Sequence, residues 1–279
     1  MNRALTSARQ TFKATDGVRL AYVVDDFTDP WRQPETIVLL HSAMSSSRRL
    51  YAWVPHLARD WRVVRLDLRG HGQSEVPAPE RPFTLERLVQ DVIDLLDHLD
   101  CPRVHLAGSS AGAIIALKTA IDHPERLLTL GAFATTPGLK PSNIDAARWI
   151  AMIGDKGLRG FLSETIADRF DVATADPGLV QWFLDEASLT DVPFLARWVS
   201  LMKAIDLTAE LGRIGCPTLA VVPGHDPLSS LAQYEVLRER IPDVELVVYK
   251  GLPHNITDAA ADRCAEELRG FLRRRRGGG

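Results

Sequence analysis

The chain has 279 residues, enough to bury a core without disulfides or a structural metal. Hydrophobic residues make up 46% and charged residues 25%, and the formal net charge of −3 argues against a nucleic-acid partner, which calls for a basic face. The 3 cysteines, Cys101, Cys216 and Cys264, are widely spaced and form no C-x-x-C pair, which excludes zinc-finger and thioredoxin-type readings and suits reduced thiols in a cytoplasmic protein.

Residues 1–10 carry no apolar signal-peptide core, and no apolar run approaches membrane-spanning length, so no membrane partner is expected. Asp16-Gly17 between two strand-like runs, 11–15 and 18–24, predicts a hairpin at one sheet edge. The apolar run 36–40 reads as a strand buried on both faces, followed by a polar loop over 41–49 and a helix over 50–58. A strand over 61–66 leads into the turn-rich stretch Asp67 to Ser74 (DLRGHGQS), where the glycines permit a tight turn and Asp67 and Arg69 can pair. Thr84 is placed to cap a helix through Leu99, with Leu85, Leu88, Val89, Val92, Leu95, Leu96 and Leu99 on one face. A strand over 103–107, a helix over 111–121 and a strand over 127–133 follow.

This alternation of strands and helices predicts an α/β fold with a mostly parallel sheet flanked by helices. The rhythm stops over 138–205, where helices are expected at 144–152, 158–169, 179–187 and 193–204, and this stretch is taken as an inserted helical cap. The core domain is then 1–137 and 206–279, closing with a strand over 217–222, a helix over 228–240, a strand over 245–249 and a helix over 257–273. Arg273 to Arg276 precede three terminal glycines and read as a frayed, solvated tail. The sequence carries no signal for an oligomeric state.

The chemistry gathers at the ends of these strands. Gly108-Ser109-Ser110-Ala111-Gly112 fits G-x-S-x-G between a strand and a helix, the arrangement of a nucleophile elbow. A serine on such a turn sits in a sterically restricted backbone region, and the small flanking residues relieve collisions there. Ser110 is the candidate nucleophile, with Ser109 as the lesser alternative. A serine hydroxyl needs a base, and His254, in the loop between the last strand and the last helix, is placed to serve. Asp226, on the loop leaving the strand over 217–222, is the candidate acid; the preceding strand ends in Ala134-Thr135-Thr136, without a carboxylate. For the oxyanion, the backbone N–H groups of Ala111 and of Ala43 are the candidates.

Leu40-His41-Ser42-Ala43, the Asp67 to Ser74 stretch, Gly108 to Gly112, Gly224-His225-Asp226 and Pro253-His254 together resemble the α/β-hydrolase superfamily. Within it the chain is similar to 3-oxoadipate enol-lactonase-like and carboxylesterase-like members, through Gly157 in a helix pair, Trp182-Phe183, Leu201-Met202 and Asp206-Leu207. It departs from them at Ser42, where His-Gly is common, at His41 in place of Asn, and at Ala111 in place of Met. The resemblance implies a serine hydrolase of a small carboxylic ester or lactone, working without a metal or an organic cofactor. It equally admits hydrolysis of a C–C bond in a vinylogous diketone, and a small-molecule receptor that keeps the triad. Four cations of the cap, Arg148, Lys156, Arg159 and Lys203, are candidates to meet a substrate carboxylate, with solvent exposure as the competing role.

Overall fold

A computed structural model describes residues 6–276. Residues 1–5, half of the stretch read as lacking a signal peptide, and the terminal glycines 277–279 lie outside the described residues. The strands are β1 (Thr6–Lys13), β2 (Arg19–Asp26), β3 (Thr36–Leu40), β4 (Arg62–Leu66), β5 (Val104–Ser109), β6 (Leu127–Phe133), β7 (Thr218–Pro223) and β8 (Val244–Tyr249). They form one 8-stranded sheet in the order β1-β2-β4-β3-β5-β6-β7-β8. From β4 across to β8 every neighbouring pair is parallel, whereas β2 runs antiparallel to both β1 and β4. Parallel neighbours need crossover connections, and the helices supply them. In chain order these are α1 (Val54–Leu57), α2 (Leu85–His98), α3 (Ala111–Asp122), α4 (Ala146–Glu164), α5 (Pro177–Ala187), α6 (Val192–Ala204), α7 (Leu231–Arg240), α8 (Ile256–Ala259) and α9 (Ala261–Arg276).

Alternation along the strands splits the apolar residues between two layers. Val38, Leu40, Val64, Leu66 and Leu106 face α2 and α3 on one side. Ile37, Leu39, Val63, Ala107 and Val221 face Trp53, Trp61 and the α9 residues Leu268 and Phe271 on the other. Helix α2 starts where the capping threonine predicts: the Thr84 side chain accepts from Arg87 N–H at 3.2 Å. The helix expected over 50–58 is instead a 3₁₀ stretch, Ser47–Trp53, followed by the single turn α1. Pro55 has no N–H for the Tyr51 carbonyl, so an α-helix cannot run through; Val54 N–H bonds Tyr51 instead. The last helix is likewise divided, into α8 and α9.

Between β6 and β7 the chain forms α4, α5 and α6 around an apolar cluster that includes Ile153, Phe161, Phe170, Phe183 and Leu195, with Met44 inserted from the loop after β3. Helix α4 spans two of the expected helices and is kinked between them at Gly157, whose φ of 69° no β-branched residue would tolerate. The two ends of this segment are stitched together by Leu207 N–H to Pro137 O (2.9 Å) and Lys140 N–H to Ile205 O (3.0 Å). Its helices therefore leave and rejoin the sheet at one place.

Two expectations are corrected. Arg273, Arg274 and Arg275 are not a frayed tail: α9 continues through them, and they pair with Asp60 (2.9 Å), Glu245 (2.6 Å) and Asp243 (2.7 Å). Burial of Phe271 and Leu272 against the sheet carries the helix that far. Nor do Asp67 and Arg69 pair. Asp67 accepts from the backbone N–H groups of Ser47 (2.7 Å) and Gln73 (2.9 Å), because the turn at Gly72 folds the chain back over its carboxylate. Arg69 points instead to α2 and the β1–β2 hairpin, bonding Asp91 at 2.8 and 2.6 Å and Asp16 at 2.7 Å.

The side chain of Arg69 is 0% exposed and that of Asp91 2%. Removing one member of such a buried pair leaves the other charge uncompensated. Arg69→Met is expected to destabilise the fold by about 3 kcal/mol, the lower end for a broken buried pair because Arg87 still reaches Asp91. Urea denaturation of parent and variant checks this; a change within 0.5 kcal/mol, the range of ordinary surface substitutions, would contradict it.

Candidate active site

The central strand β5 ends in the turn that carries Ser110. Ser110 has φ 50° and ψ −115°, a strained region for a residue with a side chain, and its N–H is held by Phe133 O of β6 at 2.8 Å. The flanking glycines are there for close approach. A Cβ on Gly112 would lie 2.4 Å from His41 O and 2.7 Å from Leu40 O, at the end of β3. A Cβ on Gly108 would lie 2.4 Å from Gly112 O. Helix α3 can therefore start directly against β3, with its first N–H groups at the strand ends and without intrahelical acceptors.

The structure brings Ser110, His254 and Asp226 together from three separate loops. His254 Nε2 lies 3.0 Å from Ser110 Oγ, and His254 Nδ1 lies 2.7 Å from Asp226 Oδ2. With Asp226 accepting, Nδ1 carries the proton and Nε2 is the acceptor for the serine hydroxyl. Ser109 turns away, its hydroxyl bonded to Thr257 Oγ1 at 2.9 Å in the buried layer beneath. The side chain of Asp226 is 0% exposed. Burial would raise its carboxyl, but the imidazole of His254 and hydrogen bonds from His254, Tyr234 and Leu228 N–H outweigh that and hold it below the ordinary value. Tyr234 Oη donates to the same Oδ2 that faces the imidazole. That contact was not legible in the sequence, where Tyr234 is one apolar position of a helix.

The group opens on a cavity whose walls contain Ser110, Ala111, Ala43 and His254. Met44, Ile144, Trp149, Phe183, Trp198 and Met202 make it largely apolar, and all but Met44 come from between β6 and β7. Of the four cations named from the sequence, Lys156 and Arg159 pair on the exposed face with Glu164 and Asp185, both at 2.6 Å, and Arg148 is exposed. Lys203 does border the cavity, but its ammonium donates to the carbonyls of Leu139 (3.1 Å) and Ser142 (2.9 Å). Two arginines that sequence patterning did not single out also border it. Arg49 is bidentate to Asp258 (2.8 and 2.5 Å), and Arg169 is buried. Among the described residues no group of His, Cys, Asp and Glu could hold a metal ion, and no helix is long and apolar enough to cross a membrane.

Beneath the loop of Ala43 lie two buried imidazoles. His41 donates from Nδ1 to Ser42 O (2.7 Å) and accepts at Nε2 from Leu68 N–H (2.9 Å), tying the loop after β3 to the loop after β4. His71 packs edge-on to Trp198 of α6, ring centroids 4.8 Å apart. Burial pushes both imidazoles well below the ordinary histidine value, to about 3 for His71, where His41 adds to the effect.

Residues 32–258 match the Hydrolase_4 family model, described as serine aminopeptidase, S33, and the chain belongs to that family. It is an α/β-hydrolase and an enzyme of the hydrolase class. It is 29% identical over 237 residues to the pimeloyl-[acyl-carrier protein] methyl ester esterase of Aeromonas hydrophila, covering 80% of this chain and 89% of that protein. It is 28% identical over 196 residues to 3-oxoadipate enol-lactonase 1 of Acinetobacter baylyi, covering 68% and 71%. A match of 32% identity to a Bacillus subtilis protein spans 45% of this chain and 44% of that one, less than half of its length. The crystal structure of the enol-lactonase from Burkholderia xenovorans LB400 superposes with a TM-score of 0.86 over 94% of this chain and 99% of that one, at 24% identity, and shows the same fold.

Because both buried histidines are held neutral, folding opposes their protonation. Their contribution is present above pH ~6.5, the unfolded value, and is lost as pH falls below it. For His71 the loss between pH 6.5 and 5 amounts to roughly 2 kcal/mol, from 1.36 kcal/mol per pH unit. His71→Gln should therefore flatten the pH dependence of the denaturation midpoint over this range. An equal slope in parent and variant would rule out His71 as a source.

Proposed function

We propose that the enzyme hydrolyses a small carboxylic ester or lactone through an acyl-enzyme on Ser110. The observation that carries this reading is the unbroken chain from Ser110 Oγ through His254 to Asp226, opening on an apolar cavity. Ser110 Oγ attacks the carbonyl carbon while His254 Nε2 takes its proton. The same nitrogen then returns that proton to the leaving alcohol, and on the second half-reaction it deprotonates the water that releases the acid. Asp226 holds the Nδ1–H tautomer and stabilises the imidazolium, with its own position fixed by Tyr234 and Leu228 N–H. The N–H groups of Ala43 and Ala111 receive the oxyanion; the second belongs to the N-terminus of α3, whose dipole favours negative charge. Residues 138–205 act as a cap that sets the apolar walls and limits water around the acyl-enzyme. The ester and lactone substrates named for the Aeromonas and Acinetobacter relatives support the choice of bond.

Hydrolysis of 4-nitrophenyl butanoate at pH 8 tests the nucleophile. Ser110→Ala is expected to lose about 10³-fold or more in kcat/KM, as loss of a triad member does. Equal activity in parent and variant would overturn the assignment. In Tyr234→Phe, which removes one hydrogen bond from Asp226, kcat should fall roughly tenfold, or ~1.4 kcal/mol, with little change in KM. A rise in KM at constant kcat would instead place Tyr234 in substrate binding.

A further inference from the structure

Three cations border the cavity, and two of them are satisfied from within the protein. Arg49 is neutralised by Asp258, and Lys203 donates to main-chain carbonyls. Arg169 is different. It is 3% exposed, and among the described residues no carboxylate lies within ion-pair distance of it. Its Nη1 donates to Thr165 O (2.9 Å) and Thr165 Oγ1 (2.8 Å), while Nη2 is buried without a hydrogen-bond partner. The guanidinium lies near the rings of Trp149 (5.5 Å) and Phe161 (5.4 Å). Burial lowers its pKa to about 10, so it is still a cation at neutral pH. Its main chain also joins the cap to the loop of His254, with Asn255 N–H donating to Arg169 O at 3.0 Å.

A buried charge is costly unless it is paired, and a guanidinium with a free edge is shaped for a carboxylate. Resting on the hydrolase reading above, we infer that Arg169 is the specificity-determining residue of the cavity, and that the natural substrate is an ester or lactone bearing one free carboxylate, which pairs with its guanidinium. One cation that Asp168 and Asp226 act on only from beyond ion-pair distance matches one anionic group, and the apolar walls take the chain between that group and the scissile carbonyl. Lys156, Arg159 and Arg148, outside this cavity, have no part in it.

The test compares kcat/KM for two ester pairs of matched length, one placing the carboxylate on the acyl half (4-nitrophenyl hemiglutarate against 4-nitrophenyl pentanoate) and one on the alcohol half (4-acetoxybutanoate against butyl acetate). The parent should prefer the charged member of at least one pair by tenfold or more. Arg169→Met should reduce that ratio at least tenfold, and Arg169→Lys should restore part of it; any general loss of activity divides out of the ratio. No preference in either pair, or a preference that survives Arg169→Met, overturns the inference and leaves Arg169 as a cation buried against two rings. Binding is read separately in Ser110→Ala. Butanoate, but not butanol, should raise its Tm, and the rise should vanish in Ser110→Ala/Arg169→Met. Carboxylate binding without ester turnover in the parent would sink the hydrolase reading and keep Arg169; turnover without charge preference or butanoate binding would do the reverse.

Discussion

The contact between the start of α3 and the end of β3 is the constraint on which the site is built. Gly112 lies against the carbonyls of Leu40 and His41 and Gly108 against Gly112, so the chain passes from strand to helix in a single turn. That turn holds Ser110 at φ 50°, a conformation costing about 1–3 kcal/mol when isolated and sustained here because β5 is paired on both sides. The same contact sets the start of the loop after β3, which carries Ala43, against the first turn of α3. His41, held neutral by burial, secures that loop to Leu68. Geometry at the reacting atoms thus follows from backbone packing several residues away.

Charge is handled in the interior by pairing. Arg65 with Asp25, Arg69 with Asp91, and Arg49 with Asp258 each bury a cation and a carboxylate together. The Arg49–Asp258 pair joins the 3₁₀ stretch after β3 to α8 just beyond His254, while Asp67 binds the main chain of the same stretch. The loops of Ala43 and of His254 are in this way fastened to one another beneath the cavity. Against that pattern, the guanidinium of Arg169, without an ion-pair partner among the described residues, is the exception, and it borders the cavity.

Much of this was legible along the chain. Parallel strands buried on both faces read as apolar runs, as in 36–40 and 217–222, and α2 announced itself by its periodicity and by Thr84. G-x-S-x-G, with a carboxylate and a histidine each following a strand, singled out the three side chains that the fold links through His254, 3.0 Å from Ser110 and 2.7 Å from Asp226. Apart from the helix broken at Pro55, where the reading went astray long-range partners were responsible. Nothing local to Arg69 shows that Asp91 is nearer than Asp67, and nothing local to Arg273, Arg274 and Arg275 shows that Asp60, Asp243 and Glu245 await them.

Residue types and periods by themselves determined the α/β architecture, the elbow and the candidate nucleophile, because each rests on short-range stereochemistry: alternation, capping, and glycine where a Cβ cannot fit; the candidate base and acid came from their places after the strands and from the order that the family resemblance implies. Tertiary structure alone decided which charges are neutralised and which face the cavity. Tyr234 beside Asp226, Asp258 across Arg49 and the empty edge of Arg169 arise from elements far apart in sequence. A hydrogen bond or an ion pair is a matter of a few ångströms between side chains, and spacing along the chain carries no such distance until the sheet and its helices have packed.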